Sequence, residues 1–68
     1  MKFTWAQQQL NLGKPVTRGA WITRLLPHPR YGADCPLWDL PEYLHDEYPD
    51  RTYIPPPTDR AADDWVLA

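Results

Sequence analysis

Eight of the nine prolines in this chain lie beyond residue 26. Proline has no backbone N–H and holds φ near −65°, so it breaks helix interiors and the middle of a hydrogen-bonded sheet. Long uninterrupted helices are therefore not expected in the second half. Regular structure there must be short and punctuated by turns.

The chain has 68 residues, which is one domain, residues 1–68. A domain of this size buries only about 60% of the surface its unfolded chain exposes. Small folds are usually reinforced by disulfides, a metal or oligomerisation. Cys35 is the single cysteine, so no internal disulfide is possible, and a lone thiol suits a reducing cytosol. Self-association is then the expected source of extra stability. No window approaches the roughly 18 consecutive apolar residues of a membrane span. The first nine residues hold no apolar stretch of signal-peptide length. Neither a membrane nor a membrane anchor is expected as a partner. The formal net charge is −2 and the basic residues are scattered. A nucleic-acid binder needs a concentrated positive field, so DNA and RNA are not expected partners. Isolated arginines still suit one small phosphorylated ligand.

Thr4 and Gln7 have capping-box spacing. Phe3, Ala6, Leu10 and Gly13 fall on one helical stripe, and Gly13 suits a left-handed helix end. These features predict a short amphipathic helix over about Trp5 to Leu12. Lys14 to Arg18 reads as a strand whose Pro15 confines it to a start or an edge, with Val16 and Arg18 on one face. Gly19-Ala20 is a tight connection. Trp21 to Leu26 is the richest strand pattern, and Pro27-His28-Pro29 ends it. Residues 30–38 read as loop, with a turn over Tyr31 to Asp34. Asp39 and Glu42 predict a cap for a short helix over Pro41 to Tyr48. Pro49-Asp50 is a turn, Arg51 to Ile54 a short strand, and Pro55 to Pro57 extended polyproline. One helical turn from Thr58 or Asp59 through Asp63 and a closing strand over Trp65 to Leu67 complete the reading.

Candidate chemistry is sparse. His28, His45 and Cys35 match no compact metal-ligand spacing, and no metal is expected. Cys35 is followed directly by Pro36 and lacks the setting of an activated nucleophile. Asp63 and Asp64 are adjacent, so they do not face one reaction centre. They read as a solvated acidic turn. With three glycines in all there is no phosphate loop. No catalytic residue and no cofactor are expected. Arg18 and Trp21 differ from these: a cation and a large ring stand three residues apart at a strand junction. A base can stack on Trp21 while Arg18 meets a phosphate. The alternative is a core Trp21 and an Arg18 paired with a nearby acid.

Two segments carry a resemblance. The first holds Phe3, Ala6, Leu10, Gly13, Val16, Arg18 and Trp21 in order. The second is Asp59-Arg60-Ala61-Ala62-Asp63-Asp64-Trp65. Together they resemble the opening and closing signatures of the phage anti-Thoeris sponge family, the second type of Thoeris anti-defence protein. The resemblance implies an α+β fold, a short N-terminal helix packed on a small antiparallel β-sheet. It implies a homo-oligomer, usually a tetramer, acting in the host cytoplasm. It implies a non-enzymatic protein that sequesters a cyclic ADP-ribose-type nucleotide signal without cleaving it, and some members also bind cyclic dinucleotides. Arg18, Trp21 and Asp59 match family positions near the ligand pocket. Tyr53 stands about where many members carry a second tryptophan. Trp65 matches a position read mainly as core. The rival functions are a protein-binding inhibitor of a host factor, or a sponge for cyclic dinucleotides.

Overall fold

The computed structural model describes residues 1–68. The order of elements is α1 (Phe3–Asn11), β1 (Val16–Arg18), β2 (Leu25–His28), β3 (Gly32–Trp38), a 3₁₀ turn (Glu42–Leu44), α2 (Pro57–Ala61) and β4 (Trp65–Leu67). The four strands form one antiparallel sheet in the order β3-β2-β1-β4. Helix α1 packs across this sheet, so the expected α+β arrangement is the observed one. No helix is long and apolar enough to cross a membrane.

Helix α1 begins earlier than its sequence signal. Lys2 is the N-cap and makes no side-chain cap, so Thr4 lies inside the helix and the capping box does not form. The stripe behaves as read: Ala6 and Leu10 are buried, and Phe3 is partly buried against the core. The Phe3 ring meets Trp65 at 5.5 Å. At the far end the Gly13 N–H donates to the Leu10 carbonyl and the Lys14 N–H to the Gln9 carbonyl, each at 3.0 Å. Gly13 has φ +81°. These two bonds and the left-handed glycine form a Schellman termination.

The second strand is displaced from its expected place. Trp21 to Arg24 are not extended in the ladder, and β2 runs from Leu25 through Pro27 to His28. The cause is the Trp21 ring, which packs against Trp38 at 5.0 Å, Trp65 at 5.1 Å and Tyr53 at 6.0 Å. Aromatic pairs contribute about 0.5–1.5 kcal/mol each beyond area burial, and together they draw the segment inward. Side-chain hydroxyls replace the missing ladder bonds. Thr17 Oγ1 donates to the Thr23 carbonyl at 2.7 Å, and Thr23 Oγ1 donates to the Asp39 carbonyl at 2.8 Å. Pro27 lies beside a register shift between Leu26 and His28, where β1 no longer pairs with β2.

Residues 30–38, expected as loop, hold the longest strand, β3. Its Gly32 and Pro36 hid it. Gly32 has φ +58° and closes the β2–β3 hairpin. Pro36 is tolerated because its side of the strand faces outward, where its carbonyl accepts the Tyr53 N–H at 2.8 Å. Residues 51–54 do not form a strand of their own. They contribute one bridge, Leu37 with Thr52, flanked by the Trp38 N–H donating to the Arg51 carbonyl at 2.8 Å. The helix expected over 41–48 is reduced to the single 3₁₀ turn. Asp39 does not cap it because it pairs with Arg24 at 2.8 Å. Helix α2 starts at Pro57, with Pro56 as N-cap in extended geometry, not at Thr58 or Asp59. β4 stands where Trp65 to Leu67 were read as a strand.

The core is Ala6, Leu10, Val16, Leu25, Ala33, Tyr53 and Trp65. Trp65 has no exposed surface. Its indole N–H donates to the Asp59 carbonyl at 3.0 Å, so burial leaves no unpaired donor.

Candidate functional site

β1 and β4 pair in a register that sets Arg18 opposite Trp65. This places the Arg18 side chain beside the connection from α2 into β4, which carries Asp59 and Asp64. Arg18 Nη1 donates to Asp59 Oδ1 at 2.7 Å, and Nε donates to Asp64 Oδ1 at 2.7 Å. A longer contact of 3.5 Å joins Nη2 to Asp64 Oδ2. The second Asp59 oxygen accepts the Tyr53 hydroxyl at 2.6 Å. The Tyr53 ring in turn meets Trp21 edge-on. The fold therefore brings together all four residues singled out from the sequence, Arg18, Trp21, Tyr53 and Asp59.

Their environments differ. The Asp59 side chain is 10% exposed and that of Asp64 is 42% exposed. Asp59 is held by Arg18, Tyr53 and, through its carbonyl, Trp65. The only side-chain partner of Asp64 is Arg18. Asp64, read as part of a solvated acidic turn, is in fact the second carboxylate on this arginine. Its signal in the sequence is the position one residue before Trp65, which the strand register sets next to Arg18.

The charges shift in matching directions. Asp64 and then Asp59 hold the Arg18 guanidinium above its ordinary value. Arg18 holds the Asp64 carboxyl below the usual aspartate range. Burial, with the hydrogen bond to Asp59 second, pushes the Tyr53 phenol well above its usual value. Tyr53 is therefore a neutral donor at physiological pH.

On the other side of Trp21 the surface opens into a groove of about 350 Å³. Thr17, Trp21, Thr23, Arg24 and Asp39 line it. It offers a half-buried indole, two hydroxyl oxygens that still accept although their protons are already donated within the fold, and the Arg24–Asp39 ion pair. Flat rings stack on such a surface, and hydroxyls and charges select among polar substituents. Ile22, at its edge, is completely exposed. Arg24, Trp38 and, beyond its expected role as a cap, Asp39 carry no site signal in the sequence, because their roles depend on the folding-back of residues 39–52.

The remaining candidates are dispersed. His28 Nδ1 accepts the N–H groups of Arg30 at 2.9 Å and Tyr31 at 3.2 Å. His45 Nε2 lies 3.0 Å from the Leu40 carbonyl, to which it donates. Cys35 is half-buried, with Sγ 3.9 Å from Thr52 Oγ1. No three His, Cys, Asp or Glu side chains gather in a metal-holding arrangement.

No protein-family model, curated protein or solved structure matches this chain.

Proposed function

We propose that this protein binds and sequesters a cyclic ADP-ribose-type nucleotide without cleaving it, as a phage-encoded counter to a nucleotide-signalled host defence. The observation that carries this reading is the convergence of Arg18, Tyr53 and Asp59 behind Trp21, the one of the four that lines the groove. Trp21 supplies a stacking surface for the base. Asp59 and Tyr53 hold Arg18 in place. Because both carboxylates already neutralise Arg18, a ligand phosphate reaches it by displacing the more exposed Asp64. The acting form is a homo-oligomer, most simply a tetramer, in the cytoplasm of the host. Cyclic dinucleotides are the alternative ligand.

Incubation of the purified protein with a cyclic ADP-ribose isomer, followed by heating, tests the proposal. Depletion of free ligand and its intact release on denaturation is the expected result. Recovery of cleavage products means a hydrolase, and no depletion means no sponge. Light scattering at micromolar concentration tests the assembly, and a species of only 8.0 kDa overturns it.

A second reading has its own observation. Ile22 and Ile54 are large apolar side chains left in water. An inhibitor that blocks a host factor would need such residues gathered into one contiguous apolar patch.

A further inference from the structure

Residues 39–51 fold back over the end of β3 and enclose a second groove of about 400 Å³. Trp38, Leu40, Leu44 and Tyr48 make its apolar walls. Trp38 is held from behind by Trp21 at 5.0 Å and Tyr53 at 5.1 Å, so its ring is fixed before any ligand arrives. Preorganised aromatic walls of this kind suit a planar ring.

The polar rim is uneven. Thr23 already donates its hydroxyl to the Asp39 carbonyl. Asp50 Oδ1 accepts the Thr52 N–H at 3.0 Å, which ties it into its own turn. Arg51 differs. Its carbonyl is anchored by the Trp38 N–H at 2.8 Å, which fixes its backbone beside the groove. Its guanidinium makes no hydrogen bond and no ion pair. The three ion pairs of the molecule belong to Arg18 and Arg24. A half-buried cation without an ion-pair partner thus borders an apolar, aromatic-walled space, with the Asp50 carboxylate on the same rim. A guanidinium presents a planar fork that matches carboxylate and phosphate oxygens.

We propose that this groove is a binding site for a planar aromatic ring carrying one anionic group, the ring lying against Trp38 and Tyr48 and the anion on Arg51. The site shares no residue with the Arg18–Asp59–Asp64 cluster and only Thr23 with the Trp21 groove, and its Arg51 and Tyr48 take no part in the sponge reading above. The anion can be a carboxylate or a phosphate, and the two are separated by experiment.

The full chain is titrated with phenylacetate and with phenyl phosphate, and with benzyl alcohol as the uncharged counterpart, while amide and indole resonances are followed by NMR. The expected result is saturable shifts at the Trp38 indole and the Arg51 amide. At least one anion binds about tenfold tighter than the alcohol, near the minimum for a charge-assisted hydrogen bond. The tighter of the two anions identifies the group that the site takes. Arg51→Gln removes no hydrogen bond or ion pair, so it is expected to fold, which its melting curve checks, and to abolish the preference for the anion. Tyr48→Ala is expected to weaken all three. The proposal is overturned if no resonance at the groove shifts at millimolar ligand, if the alcohol binds as well as both anions, or if Arg51→Gln keeps the preference.

Discussion

The Asp59 carboxylate is shared between Arg18, which donates from Nη1 at 2.7 Å, and Tyr53, which donates its hydroxyl at 2.6 Å. One carboxylate thereby joins β1, the segment after β3 and α2. Its carbonyl adds Trp65 of β4.

Loss of that carboxylate leaves the buried Tyr53 phenol without its acceptor and the partly buried Arg18 with Asp64 alone. Asp59→Ala is expected to destabilise the fold by about 3 kcal/mol, the low end for a broken buried pair, because part of Arg18 remains in water. Tyr53→Phe removes one donor and is expected to cost about 1–3 kcal/mol, since one Asp59 oxygen then loses its partner. Urea unfolding of both variants checks the order, and equal midpoints for Asp59→Ala and the parent exclude this role.

Stability is expected to fall at both ends of the pH range. Asp64 is held below its ordinary 3.8 by Arg18, and Asp50 below the same value by the Thr52 amide. A depressed carboxyl stabilises the folded state above the unfolded value, and this contribution is lost as pH falls through the depressed value. Tyr53 is raised above its ordinary 10.0. Its contribution is complete below pH 10 and is lost as pH rises beyond it, because the unfolded chain releases the proton first. Thermal melts from pH 2 to 11 are expected to show both limbs, with Asp64→Asn reducing the acid limb and Tyr53→Phe the alkaline one.

Residues whose role is local were legible in the sequence. Ala6, Leu10 and Gly13 placed the helix and its end, and Trp65 to Leu67 placed the closing strand. β3 was not legible, because its Gly32 and Pro36 are breakers by type. They are acceptable only because Gly32 makes the hairpin bend and Pro36 turns its missing donor away from β2. Trp21 carried a strand signal that its three aromatic neighbours overrode. At the candidate site, an Arg18 paired with a nearby acid was one of the two readings open in the sequence and is the one observed, whereas which acids it meets, Asp59 and Asp64, required the register of β4 on β1. The groove at Trp38 depends on the path of residues 39–51, which no periodicity in that proline-broken segment specifies.

Two glycines separate backbone strain from crowding. At Gly13, with φ +81°, an added Cβ meets nothing within 4 Å. Gly13→Ala is still expected to destabilise by about 1 kcal/mol, because the left-handed conformation disfavours any Cβ. At Gly19 no positive φ is required, and an added Cβ meets Asp64 Oδ2 at an ordinary 3.9 Å. Gly19→Ala is expected to leave the melting temperature unchanged or slightly raised. Melting curves of the pair decide, and a loss confined to Gly19→Ala contradicts this account.

Ligand binding is best tested at Trp21 with its fold controlled. Arg18→Ala removes the counter-charge of two carboxylates, so lost affinity in that variant is confounded with lost structure. Trp21 is only partly buried and forms the wall of the groove. A stacked base contributes about 1–3 kcal/mol by alanine substitution, which is roughly five- to a hundredfold in affinity. Trp21→Ala also gives up three aromatic contacts, so Trp21→Phe serves beside it, keeping a ring while reducing the stacking area. Calorimetry with a cyclic ADP-ribose isomer is expected to rank the parent above Trp21→Phe and Trp21→Phe above Trp21→Ala, each measured on protein whose melting curve shows it folded. If folded Trp21→Phe and Trp21→Ala bind as tightly as the parent, the base does not stack on Trp21 and the ligand lies elsewhere on the molecule.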